Sequence, residues 1–145
     1  MTRSRPAPMS HDLDRFLDAQ ADAYPAALAE LRDGRKRTHW MWFVFPQVAG
    51  LGRSPTARFY AISGLDEARA YLAHPVLGLR LVDCVEAILP LPGGDPHAVF
   101  GAPDDAKLRS SLTLFSAAAP GEPRFRAALA KYFGGRDDPL TLERL

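Results

Sequence analysis

"VLGLRLVDCVEAIL", residues 76–89, is the stretch that decides the fold. Leu77, Leu81, Cys84, Val85 and Ile88 fall on one helical face, and Val76, Leu79, Val82 and Ala87 fill in the remainder, so the segment is apolar on nearly every side. A helix of that kind leaves water only in the middle of a molecule. The expectation is a central, largely buried helix with the other elements packed around it.

Outward from this helix, the prolines act as punctuation. Thirteen of them would ordinarily argue against helix. Yet Ser54-Pro55, His74-Pro75, Asp95-Pro96, Glu122-Pro123 and Asp138-Pro139 each put proline where a first helical turn tolerates it, and the Ser and Asp ahead of three of them are good caps. They predict helix starts, with short helices over 55–62, 65–73, 96–100 and 139–145. Phe125, Ala128, Leu129, Tyr132 and Phe133 form a clean stripe closed by Gly134-Gly135. Leu108, Leu112 and Phe115 mark another helix, opened by Pro103-Asp104-Asp105 with its acids at the positive end of the dipole. Leu13, Phe16, Leu17 and Gln20 make an earlier stripe. A break is expected near Asp22, after which Pro25 enters the first turn of a new helix carrying Leu28 and Leu31. Loops fall at 34–36, 46–53 and 91–94.

No run alternates apolar and polar over five or more residues, and no Asn-Gly or Asp-Gly turn separates two β-rich runs. The fold class is therefore all-α: a compact multihelical single domain over residues 11–145, after a Pro- and Ser-rich tail at 1–10 expected to be disordered. At 145 residues, 47% hydrophobic and 24% charged, one core is within reach. Cys84 is the single cysteine, which excludes an internal disulfide, and the first ten residues lack the apolar core of a secretory signal. The longest unbroken apolar run, Trp40 to Phe45, is far too short to cross a bilayer. These features together predict a cytoplasmic protein with no membrane role.

Net charge is +1, but residues 32–58 hold six Lys or Arg against one acid, Asp33. Inside that region "RKRTHWMWFVFPQ", residues 35–47, sets cations directly against aromatics. Cations plus flat rings are the ingredients of single-stranded nucleic-acid binding, which the near-neutral total disfavours. The aromatics 40–45 are better read as core, given the area each buries. The following "PQVAGLGRSP" puts Gln47, two glycines, Arg53 and Ser54 just before a helix start, where exposed amides and a guanidinium suit a phosphate or carboxylate. Ser54 is equally well a plain N-cap. The expected ligand-binding set is Arg37, His39 and Arg53 for the anion, Trp40 or Trp42 for a ring, and Gln47 and Ser54 for polar contacts.

Close cysteine pairs, a His-Glu-x-x-His helix, a Walker loop and a full dinucleotide fingerprint are all absent, so no metal or cofactor is expected. "PDDAKLRSSLTLF" is a second candidate: Asp104 and Asp105 as general base or magnesium ligands, with Lys107 and Arg109 steadying a phosphate. Acids at a helix start followed by bases are more often capping and surface pairing. For an enzyme, His39 is the first candidate acid or base, then Asp104 or Asp105.

"AELRDGRKRTHWMWFVFPQVAGLGRSP", "AISGLDEARAYLAHPVLGLRL", "FGAPDDAKLRSSLTLF" and "KYFGG" resemble the bacterial family of domain of unknown function 1810, sometimes labelled calpastatin-like. The likeness covers the chain from about Asp12 to the C-terminus, and its most specific part is His-Trp-x-Trp-Phe-x-Phe-Pro-Gln. It implies a compact multihelical fold with buried central helices and no established activity. An unstructured protease inhibitor would not carry these core stripes. Val48, Leu112 and Thr38 stand where Leu, Met and Ser are expected. Two functions are expected to compete: a pocket for a small anion such as a nucleotide or phosphorylated metabolite, and a basic face docking an acidic protein partner.

Overall fold

The computed structural model describes residues 12–145; the tail expected at 1–10, and His11, lie outside them. The described chain is all-α, with helices α1 (Asp14–Arg32), α2 (Met41–Val44), α3 (Pro55–Phe59), α4 (Leu65–Ala73), α5 (Leu77–Ile88), α6 (Pro96–Phe100), α7 (Asp104–Ala118), α8 (Pro123–Phe133) and α9 (Pro139–Leu142). A lone parallel bridge joins Val48 to Ile62.

The prolines do mark starts. Ser54, Asp95 and Glu122 accept backbone N–H bonds at the heads of α3, α6 and α8, each with proline in the first turn. His74 does the same ahead of α5, its Nδ1 accepting from the amides of Val76 at 3.1 Å and Leu77 at 3.3 Å. Asp138 instead turns its carboxylate to the hydroxyls of Ser110 and Thr141, pinning α9 to α7. Gly134 closes α8 in the left-handed conformation, as expected.

Two local expectations are corrected. The break near Asp22 does not occur: α1 runs through Pro25 without interruption. The lost hydrogen bond is outweighed by one continuous face, Phe16, Gln20, Ala27 and Leu31, buried against α2, α5 and the Tyr71 ring. The second is the helix expected over 55–62, which ends at Phe59 and leaves Ile62 in the bridge to Val48; α2, a single turn inside the aromatic run, was announced by no periodicity because it is too short to show any.

The centre is shared. α5 lies against α1, α4 and α8, while α7 touches α4, α6, α8 and α9. α7 is the more deeply enclosed, with every residue from Ser110 to Ser116 buried. Its small hydroxyl side chains let neighbours approach on all sides, and Thr113 satisfies itself on the preceding turn by donating to Arg109 O at 2.8 Å, while Ser110 gives its proton to Asp138 at 2.8 Å. Serine and threonine disguised this helix as half-polar.

Between α4 and α5 the approach is so close that only glycine fits. A Cβ on Gly78 would lie 2.1 Å from the carbonyl oxygen of Leu72 and 2.9 Å from its carbon, both rigid backbone atoms. Gly78→Ala must therefore push the helices apart. A loss of about 1–3 kcal/mol is expected in urea unfolding, whereas Gly64→Ala, with open space around it, should change stability far less.

Candidate functional site

The cation-rich segment is built on Glu30. This nearly buried carboxylate near the end of α1 accepts from the amides of Arg37 (2.7 Å) and Thr38 (3.0 Å), the Thr38 hydroxyl (2.6 Å) and the Trp40 indole N–H (2.9 Å). Burial by itself would raise its pKa, but these four donors hold it down to about 2. Thr38, where serine was expected, keeps the one group the site uses, its hydroxyl.

The aromatics and the second candidate motif then meet. Trp40 is buried with Lys36 Nζ 5.0 Å from its ring centroid, and half-buried Trp42 has Lys107 Nζ of α7 at 5.4 Å. Both ammoniums turn to one carboxylate, Asp104, at 2.9 Å from Lys36 and 3.7 Å from Lys107. Backbone pairing supports the junction, since the Lys36 amide donates to Val99 O at 2.8 Å just ahead of α7. Around the two tryptophans, Lys36 and Lys107 are thus set against Asp104 and the ionised Glu30.

Beside this cluster is a cleft of about 10 Å³, room for roughly one water. Trp42, Phe45 and Gln47 form one wall, Lys107 another, and Gly52, Ala57, Tyr60 and Ala61 a cover. The cover belongs to the segment 49–61, whose two ends are tied by the Ile62 amide on Gln47 O and the Ala49 amide on Ile62 O, each at 2.8 Å. At its tip Gly52 sits so near Ala57 that a side chain there would meet the Ala57 Cβ at 2.5 Å.

The sequence-predicted site residues separate into groups. Trp42 and Gln47 share the cleft, and Arg53 follows directly on Gly52 of its cover. Trp40 is only 1% exposed, with its N–H occupied by Glu30, so it offers no face to a ligand ring. Arg37 lines a different, open depression with Glu30 and Asp33, and pairs with Asp33 at 2.5 Å. Ser54 caps α3 through the Ala57 amide at 3.0 Å. His39 and Arg53 are exposed and make no ion pair among the described residues. Asp104 is spoken for by two ammoniums, a poor environment for a magnesium ion, and Asp105 faces exposed His97 at 3.4 Å. No group of three or more potential metal ligands converges among the described residues, nor is any helix there long and apolar enough to cross a membrane. Arg109 serves the fold, donating to the carbonyls of Arg136 (3.0 Å) and Asp137 (2.5 Å).

Sequence reasoning missed Glu30 and the Lys36–Asp104 link. A lone glutamate at the end of an amphipathic helix carries no motif. Only the fold brings residues 36 and 104 together.

A model of a protein family of unknown function, DUF1810, matches residues 10–145. The chain belongs to this family. No curated protein matches it. Among solved structures, the DUF1810 chain is similar to the conserved hypothetical protein Rv1873 from Mycobacterium tuberculosis, whose crystal structure at 1.38 Å superposes with a TM-score of 0.91. That similarity is 52% identity over 92% of this chain and 96% of the other, which fixes the helical architecture at the level of the whole DUF1810 chain.

Proposed function

We propose that the protein is a cytoplasmic binder of a small anionic ligand, a nucleotide or phosphorylated metabolite, held at the mouth of the Trp42 cleft. The observation that carries this reading is the Lys107 ammonium lying over Trp42 on the same cleft as Gln47, with Lys36 and Lys107 sharing a single carboxylate. The Lys107 ammonium attracts an anion, the indole offers an apolar flank, and the Gln47 amide reads polar edges. Arg53, beside the glycine of the cover, is placed in sequence to approach the same anion, and Arg37 and His39 contribute to the surrounding positive field. A cleft the size of one water means that the ring rests at the mouth or that segment 49–61 lifts. Were the ligand turned over, His39 is the candidate acid or base, with Asp105 next. The cytoplasmic reading draws on cysteine usage: the single cysteine, Cys84, is free.

The test is a thermal-shift series with ATP, AMP and glucose 6-phosphate. A nucleotide at a hundredfold its Kd adds about 2.7 kcal/mol, or roughly 5–10 °C in Tm. Lys107→Met should abolish that shift and Arg53→Ala reduce it, each measured against the variant's own baseline. Equal responses from wild type and Lys107→Met to every compound would remove the site.

The rival reading, docking of an acidic protein, draws on the burial of Trp40 and the exposure of Arg35, Arg37, His39 and Arg53. It predicts binding that Arg35→Glu abolishes and Lys107→Met leaves intact.

A further inference from the structure

α5 is apolar on nearly every side, yet the fold covers only part of it. Leu77, Leu81, Cys84, Val85 and Ile88 are buried, whereas Leu79 is 61% exposed and Val76 37%. Single exposed leucines are ordinary. Here Leu79 edges a groove of about 370 Å³, with Leu72 and Val82 beside it and buried Phe125 beneath, where α4, α5 and the start of α8 meet. A second hollow of about 350 Å³ continues along α5 past Asp83 and Glu86 to Pro90 and Leu91, with Arg32 at its far side. The two together follow a helix of 12 residues, about 18 Å in length.

The rim of the groove is acidic. Asp83, Glu86 and Glu122 stand against Arg124 alone, and that guanidinium is already bound to Glu86 at 2.7 Å and Glu122 at 2.9 Å. Asp83 makes no ion pair among the described residues. With Arg32 of the second hollow counted, the trough keeps a net charge of −1, three acids against two arginines, and Asp83 is its unpaired carboxylate.

We infer that this face docks a basic amphipathic helix of a partner protein. Apolar side chains of the partner lie between Leu72, Leu79 and Val82, and its Lys or Arg residues meet Asp83 and Glu86. The length of the trough matches about three helical turns, and its charge selects the partner's sign. A second copy of this chain is a poor occupant, because a two-fold contact would set the acidic rim against itself.

The experiment uses a fluorescein-labelled amphipathic Leu/Lys peptide and its Leu/Glu counterpart, titrated against the full-length protein by anisotropy. The Leu/Lys peptide is expected to bind at least tenfold more tightly. The deciding variant is Leu79→Asp, which adds a negative charge: attraction by charge alone would tighten binding, whereas docking in the groove weakens it at least tenfold. Leu79→Ser repeats the test without the charge, should the aspartate variant melt early. Asp83→Asn should flatten the salt dependence. Equal binding of the two peptides, or undiminished binding by the Leu79 variants, overturns the inference. So does sedimentation of wild type as a dimer that Leu79→Asp dissolves, an outcome that would give the face to a second copy.

Discussion

Glu30→Ala is expected to cost about 4 kcal/mol, enough to leave a domain of this size barely folded. The substitution strands four donors at once: the amides of residues 37 and 38, the Thr38 hydroxyl and the buried Trp40 indole N–H. Hydrogen bonds to a charged group are the strong ones, and a donor left without a partner in the interior pays its full desolvation. Glu30→Gln retains the shape and loses the charge, so it isolates the electrostatic part. Because the folded carboxyl titrates at about 2 against an ordinary 4.5, the charge contributes about 3 kcal/mol of stability. The direction follows from the depressed folded pKa. The contribution is complete above pH 4.5 and is lost as the pH falls towards 2. Urea unfolding at stepped pH should show wild type well above Glu30→Gln at pH 7, with the gap closing across that window. Equal stability of wild type and Glu30→Gln at pH 7 would mean that shape, and not charge, holds the corner.

The same carboxylate explains how far the site could be read beforehand. Helical periodicity and proline punctuation are local signals, so α3 to α9 lie close to where spacing put them. The two failures of local reading were places where tertiary packing overruled it: Pro25 carried through α1 by a buried face, and α2 formed as one turn within a cluster of aromatics. The centrality of α7 was hidden for a related reason. Ser110, Thr113 and Ser116 count as polar in a pattern, but in a helix a hydroxyl can be buried once it is satisfied, Thr113 by the preceding turn and Ser110 by the Asp138 carboxylate. The opposite happened at Leu79, apolar in the pattern and exposed in the fold. For the site, Trp42 and Gln47 were legible because they are close in sequence and share the cleft. Lys36 meeting Asp104 was not, since nothing within either segment names a partner 68 positions away, 104 less 36. Burial of Trp40 was predicted with the rest of the aromatic core, and it is this success that removes Trp40 from the ligand's ring contact.

Arg15→Ala is expected to cost about 3–5 kcal/mol and to loosen the candidate site from a distance. Arg15 Nη1 pairs with Glu67 at 3.0 Å, with the two side chains 11% and 5% exposed, and Glu67 also receives the Ser63 amide at 2.7 Å. Removing the cation leaves a nearly buried carboxylate without its counter-charge, which is the costly way to break such a pair. The guanidinium has a second task, because Nε donates to Phe59 O at 2.8 Å and Nη2 to Ala61 O at 2.9 Å. These bonds fasten the far end of segment 49–61, and Ala61 and Tyr60 cover the cleft beside Trp42. Arg15→Lys separates the two tasks: an ammonium retains the charge opposite Glu67 but cannot reproduce the planar fork that spans carboxylate and carbonyls. Global stability should then recover in large part, while amide exchange at Tyr60, Ala61 and Ile62 remains faster than in wild type, reporting local opening of the cover. If entry to the cleft requires that opening, Arg15→Lys should also quicken association of any nucleotide that stabilises the wild type, with little change at equilibrium. Wild-type exchange rates at those three amides would show that the cover is held by the Val48–Ile62 bridge alone.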